Sequence, residues 1–153
     1  MKFKKVNTPL KGDLIRVRRK AGYYHYGIAT SSNTVIHYSD YGNDSVLDVS
    51  KVRIIETTLD EFLRGDELQV NLPFDSPFDR DVIVNKARDF LGVYKFRDKQ
   101  YNLVTNNCEH FARFIYYGDS KSKQVVTVSS VLIALGISLV STALVVNKLK
   151  KHK

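Results

Sequence analysis

The chain has 153 residues, of which 43% are apolar and 26% charged. That is long and apolar enough for one folded domain with an appendage, and it excludes a disordered chain. The net charge of +8 divides into +7 over residues 1–20, −5 over 21–120 and +6 over 121–153. Basic ends around an acidic body exclude a broad nucleic-acid face and suit an anionic membrane surface.

Residues 1–10 lack the apolar run of a signal peptide, so no leader is expected. Pro9 and Gly12 punctuate the start. Leu14 to Arg18 then alternates, with Ile15 and Val17 on one face, and reads as a strand. His25 to Thr30 and Thr34 to Tyr38 read as two more strands joined by Ser31-Ser32-Asn33. Val46–Val49 and Val52–Ile55 read as short strands. Thr58–Leu63 starts a helical turn that Gly65 ends, Glu67–Asn71 is extended, and Pro73–Pro77 is a loop. Asp79–Leu91 reads as a helix with Asp79 as N-cap and Gly92 as its stop. Cys108–Tyr117 reads as another, ended by Gly118. The class is α+β: an antiparallel sheet packed with helices.

Residues 120–124 form a polar linker. Residues 125–146 are 22 positions without charge or proline, fifteen of them apolar. At 1.5 Å per residue they span roughly 33 Å, enough for a bilayer core of about 30 Å. Lys121 and Lys123 precede this run, and Lys148, Lys150, Lys151 and Lys153 follow it in the basic tail, residues 147–153. The expected organisation is a catalytic domain over 1–119, the linker, one transmembrane helix and the tail. The body is then made before the anchor, as in a single-pass, tail-anchored protein facing the cytosol. The other reading of the run is a core helix of a soluble domain.

Three side chains carry chemistry. With Ser31 at the hairpin centre, His25 faces His37 on the same side of the sheet, with Cβ atoms about 5 Å apart. A two-residue loop makes them offset neighbours instead. Cys108 is the only cysteine, which excludes an intramolecular disulfide and fits a reducing compartment. Asn106 and Glu109 have the form of a capping box, which puts Cys108 in the first helical turn. Backbone N–H groups there favour a thiolate and can donate to an oxyanion. Phe111, Ala112 and Ile115 share its face, so the thiol points toward the core. A thiol at a helix start near an imidazole is the arrangement of cysteine acyl-transfer enzymes; a buried structural thiol is the alternative. His110 diverges from Cys108 on the helix and reads as structural, and His152 lies in the basic tail. No ligand cluster for zinc is evident, so neither metal nor cofactor is expected.

Gly12-Asp13-Leu14, Tyr23-Tyr24-His25-Tyr26-Gly27-Ile28, Val35-Ile36-His37, Tyr101-Asn102-Leu103 and Asn106-Asn107-Cys108-Glu109-His110-Phe111 together resemble the lecithin:retinol acyltransferase family. The likeness is to its H-Ras-like suppressor branch of small phospholipase A/acyltransferases. Arg64-Gly65-Asp66, Val70-Asn71 and the hydrophobic C-terminal segment are similar too, so the resemblance covers about residues 10–146. It implies a permuted papain-like fold, with His25 as general base, His37 as the imidazole that orients it and Cys108 as nucleophile. It also implies removal of an acyl chain from the sn-1 or sn-2 position of a glycerophospholipid through an acyl-cysteine. Water or an amine such as that of phosphatidylethanolamine then takes the acyl group. The chain departs from that branch in having Tyr26 where Trp is usual and in lacking prolines after His37. A non-enzymatic membrane-bound interaction protein on the same fold is the rival reading; a peptide or isopeptide substrate is a third.

Overall fold

The computed structural model describes residues 1–20, 22–39, 52–93, 95–96, 99–100 and 107–118, all within the unit Met1–Ser122. Their elements run β1 (Phe3–Lys5), β2 (Leu14–Arg18), β3 (Tyr24–Ala29), β4 (Thr34–Ser39), β5 (Arg53–Thr58), α1 (Leu59–Leu63), β6 (Gln69–Asn71), α2 (Arg80–Arg88), β7 (Lys95–Phe96), β8 (Lys99–Gln100) and α3 (Cys108–Tyr117). The expected α+β class with an antiparallel sheet is what the chain adopts. Strands β2 to β5 form a meander, β6 returns to the free edge of β2, and β1 lies outside it, so the six-stranded order is β1-β6-β2-β3-β4-β5.

Both faces of this sheet are covered. Alternation along the meander sends Leu14, Tyr26, Ile28, Ile36 and Tyr38 to one face, where Ile83 and Ala87 of α2 and Phe111, Ala112 and Ile115 of α3 pack on them. Ile15, Val17, Ala29, Val35 and Val70 go to the other, under Phe62 of α1. Ile15 and Val17 share a face as expected, and Leu14 is fully buried on the opposite one.

Capping chemistry sets the helix ends. Thr58 and Glu61 form a capping box for α1, and Arg64 closes it in the left-handed region at φ 54°. Helix α3 ends at Gly118, φ 75°, a conformation that a side chain disfavours. Helix α2 ends three residues short of the expected Leu91. Gly92 N–H donates to Ile54 O and Ile54 N–H to Val93 O, so the chain leaves the helix to lie along β5. Strand β1 is an element that the sequence reading missed. Phe3, Lys4 and Lys5 pair with Asn71, Val70 and Gln69, and Lys2 N–H donates to Asn71 Oδ1 at 3.0 Å.

Among the described residues no helix is long and apolar enough to cross a membrane. The expected strand Val46–Val49, linker 120–124, transmembrane helix 125–146 and tail 147–153 lie outside the described residues.

Candidate active site

The histidine pair grows out of the β3–β4 hairpin. Gly27 stands opposite His37, Ile28 opposite Ile36 and Ala29 opposite Val35, so the hairpin is centred on Ser32 rather than Ser31. The cause is a turn held by hydroxyls. Thr30 N–H donates to Thr34 O at 2.9 Å, the Thr30 and Thr34 hydroxyls meet at 2.6 Å, and Ser31 Oγ lies 2.7 Å from Thr34 Oγ1. A register change of two residues keeps every side chain on its face. His25 and His37 therefore become diagonal neighbours, and they still meet: His25 Nε2 is 2.8 Å from His37 Nδ1. Gly27 makes room for this, since a Cβ there would stand 2.6 Å from Val35 Cγ1 and 3.1 Å from the Phe62 ring.

The pair is sealed. His25 is 5% and His37 3% exposed, and the Phe62 ring lies 5.2 Å from each imidazole. Phe62 is held in place by Arg19, whose guanidinium donates to Phe62 O at 2.7 Å, to Leu63 O at 3.0 Å and to Asp66 Oδ2 at 3.0 Å. It thus caps the carbonyl end of α1. Burial pushes His37 down from 6.5 to about 3, reinforced by the positive charges of Arg19 and Arg64. Burial likewise lowers His25 well below 6.5, helped by His37, Arg19 and Arg64. Both rings are neutral at pH 7. On the far side of the pair, His37 Nε2 lies 2.9 Å from Thr57 Oγ1, while Nδ1 of His25 makes no hydrogen bond among the described residues.

Cys108 is the first residue of α3 and is 1% exposed. The cap differs from the expected Asn106–Glu109 box. It is Asn107 whose side chain accepts from His110 N–H at 3.1 Å, while His110 Nδ1 accepts from Asn107 N–H at 3.3 Å. His110 thus has the structural part expected of it. The thiol lies 3.8 Å from the carbonyl oxygen of Tyr24, a weak S–H donor contact to the residue before His25. Tyr23 O accepts from Arg19 N–H across the β2 side, so the Tyr24 carbonyl turns toward β4. Among the described residues β3 and β4 pair over Gly27–Ala29. The imidazoles lie on the Phe62 face and α3 packs on the other, so the two kinds of group approach β3 from opposite sides, at consecutive residues. Beside the thiol end, Tyr26 is buried, which pushes its hydroxyl up to about 12, with the Glu109 charge adding to the shift. Arg16 donates to that hydroxyl at 3.3 Å, and its guanidinium is stacked 3.9 Å from the Phe3 ring and 3.8 Å from the Tyr24 ring.

The parts that Arg19, Phe62, Arg64 and Thr57 play around the pair were absent from the sequence reading, although Arg64 stood in one of the family-like motifs. Only Thr57 left a signal there: it lies two positions from Ile55 in an alternating segment, so it shares a face with His37 once β4 and β5 are known to pair.

A family model described as "Lecithin retinol acyltransferase" matches residues 7–121. Among curated relatives, phospholipase A and acyltransferase 4 of Homo sapiens is 31% identical over 147 residues, covering 87% of each chain. Phospholipase A and acyltransferase 2 of Homo sapiens is 32% identical over 141 residues, covering 84% of each. Phospholipase A and acyltransferase 1 of Homo sapiens is 27% identical over 144 residues, covering 85% of this chain and 83% of the relative.

Proposed function

As the chain belongs to the lecithin retinol acyltransferase family, we propose that it is a thiol phospholipase A1/A2 and acyltransferase acting on glycerophospholipids, with Cys108 as nucleophile, His25 as base and His37 as its partner. The observation that carries this reading is the neutral His25–His37 pair at 2.8 Å, with the thiol docked on the residue before His25. A general base needs a lone pair, and a buried imidazole that stays neutral keeps one at physiological pH.

In this reading His25 Nδ1 takes the thiol proton, and the sulfur attacks an ester carbonyl carbon at the sn-1 or sn-2 position. An S–C bond forms as the carbonyl π pair moves onto oxygen, where backbone N–H groups of the first turn of α3 stabilise it. The ester C–O bond breaks, and the leaving lysophospholipid oxygen takes the proton back from His25. The acyl-cysteine is then attacked by water, giving a free fatty acid, or by an amine such as that of phosphatidylethanolamine, giving an amide. In each case His25 takes the proton released by the attacking water or amine, and the sulfur leaves with the C–S electron pair and regains that proton. Residues 125–146 would hold the domain at its substrate as a single transmembrane helix with the catalytic body in the cytosol. The 22-residue uncharged run bracketed by lysines supports that assignment.

Intact-mass analysis of the full chain after brief incubation with phosphatidylcholine tests the reading, beside Cys108→Ala. A gain of one fatty acyl group on the wild type alone is expected. No adduct and no released fatty acid would overturn it in favour of a non-catalytic membrane-bound protein.

A further inference from the structure

We propose that Thr57 is a positioning residue: its hydroxyl fixes which nitrogens of the histidine pair carry protons and so keeps Nδ1 of His25 bare for the thiol. The inference rests on the reading of His25 as base and adds a third, non-histidine member to the relay.

A neutral imidazole carries one N–H and one lone pair. Between His25 Nε2 and His37 Nδ1, 2.8 Å apart, there is room for one proton, so two arrangements exist. In one, His25 donates from Nε2, His37 donates onward from Nε2, and Nδ1 of His25 is bare. In the other, His37 donates back from Nδ1, and the neutral His25 must carry its proton on Nδ1, where it cannot take one from sulfur.

Thr57 distinguishes them. Its hydroxyl donates to the Thr58 carbonyl at 3.3 Å, so the side facing His37 Nε2, 2.9 Å away, is a lone pair. A lone pair is satisfied only by a protonated Nε2, which selects the first arrangement. The second would require the hydroxyl to turn round and abandon the Thr58 carbonyl. Strand register explains how Thr57 reaches the ring. Val35 stands opposite Thr57 and Ile55 opposite His37, so Thr57 is the diagonal neighbour of His37 on β5, as His25 is on β3. Three adjacent strands thus supply one hydrogen-bonded row.

The other charged or titratable groups around the pair do not substitute for this acceptor. Arg19 from the end of β2 and Arg64 from the cap of α1 have donors only. Asp66 accepts from Arg19, and Cys108 of α3 docks on Tyr24 O.

The test uses the full chain in wild-type form and as Thr57→Val, Thr57→Ala and Thr57→Ser. Two readouts are taken: ¹⁵N NMR of the histidine ring nitrogens, and steady-state hydrolysis of phosphatidylcholine in mixed micelles. In the wild type and Thr57→Ser, His25 should show a protonated Nε2 and a bare Nδ1. In Thr57→Val and Thr57→Ala the ring nitrogens of His25 should report a mixture of the two arrangements. Their kcat should fall about tenfold with KM unchanged, the scale expected for loss of one buried hydrogen bond, and Thr57→Ser should restore it. Thr57→Ala stands in for Thr57→Val should the latter fail to fold. Wild-type nitrogen shifts in either apolar variant would overturn the proposal, as would an unchanged kcat where the wild type turns over. Absence of turnover in every form, the wild type included, would sink the enzyme reading alone, and the nitrogen spectra would then decide the role of Thr57.

Discussion

Acid should destabilise this domain through its histidine pair, by an amount that the site geometry allows to be worked out. An unfolded histidine titrates near 6.5, whereas His37 in the fold titrates at about 3, because it is buried and faces Arg19 and Arg64. Between those values the unfolded chain binds a proton that the folded chain refuses. The stability tied to His37 is therefore fully present above pH 6.5 and is lost as the pH falls. Each pH unit costs about 1.4 kcal/mol per group, so moving from pH 7.5 to 5.0 removes about 2 kcal/mol through His37 alone. His25 is shifted in the same direction and adds to the loss. Against a typical total of roughly 5–15 kcal/mol, this is a large fraction. Urea unfolding at the two pH values measures it, followed by tyrosine fluorescence, since the chain has nine Tyr and no Trp. His37→Gln should remove its share of the pH slope. A wild-type loss below about 1 kcal/mol, or an unchanged slope in His37→Gln, would refute the reasoning.

Gly27→Ala places a Cβ 2.6 Å from Val35 Cγ1 and should cost about 1–3 kcal/mol of overpacking; Val35→Ala in the same chain should recover part of that loss in a double-mutant cycle of thermal melts. Asn107→Ala removes the side-chain half of the α3 capping box, the Oδ1 that accepts from His110 N–H, and should lower stability by about 1 kcal/mol, with slower acylation of Cys108 at saturating substrate. Deleting residues 121–153 should leave hydrolysis of detergent-dispersed lipid intact and abolish it on vesicles; equal rates on both would count against a membrane anchor.

The strands and helices were legible where a local signal is strong. Alternation at Leu14–Arg18 and the glycine stop at Gly118 needed no tertiary knowledge, and β3, β4 and α3 came from the same kind of pattern. The common face of His25 and His37 was legible as well, because a two-residue error in register preserves facing. The register itself was not, because the turn is stabilised by hydroxyls of Thr30, Ser31 and Thr34 rather than by a glycine or proline that would mark its type. Two adjacent asparagines competed for the α3 cap, and only the backbone settles that Asn107 fills it. Strand β1 pairs with residues far along the chain, a partnership that no local signal marks. The burial of Arg19 follows from α1 folding back over the sheet, which no local pattern announces. The resemblance of the histidine and cysteine motifs carried the family assignment, which the family match bears out.

The outermost strands close this sheet to its own kind. An unpaired strand edge is a template on which another chain can add. On one border the sheet ends in β1, three residues long with Lys4 and Lys5 exposed, and a second copy would have to bring its own lysines against these. On the other border the backbone of Ile54 is already occupied by Gly92 and Val93. The lysines near the start of the chain, whatever lipid charge they meet, thus also act against aggregation, and replacing Lys4 and Lys5 with apolar residues would expose an edge that now repels its copies.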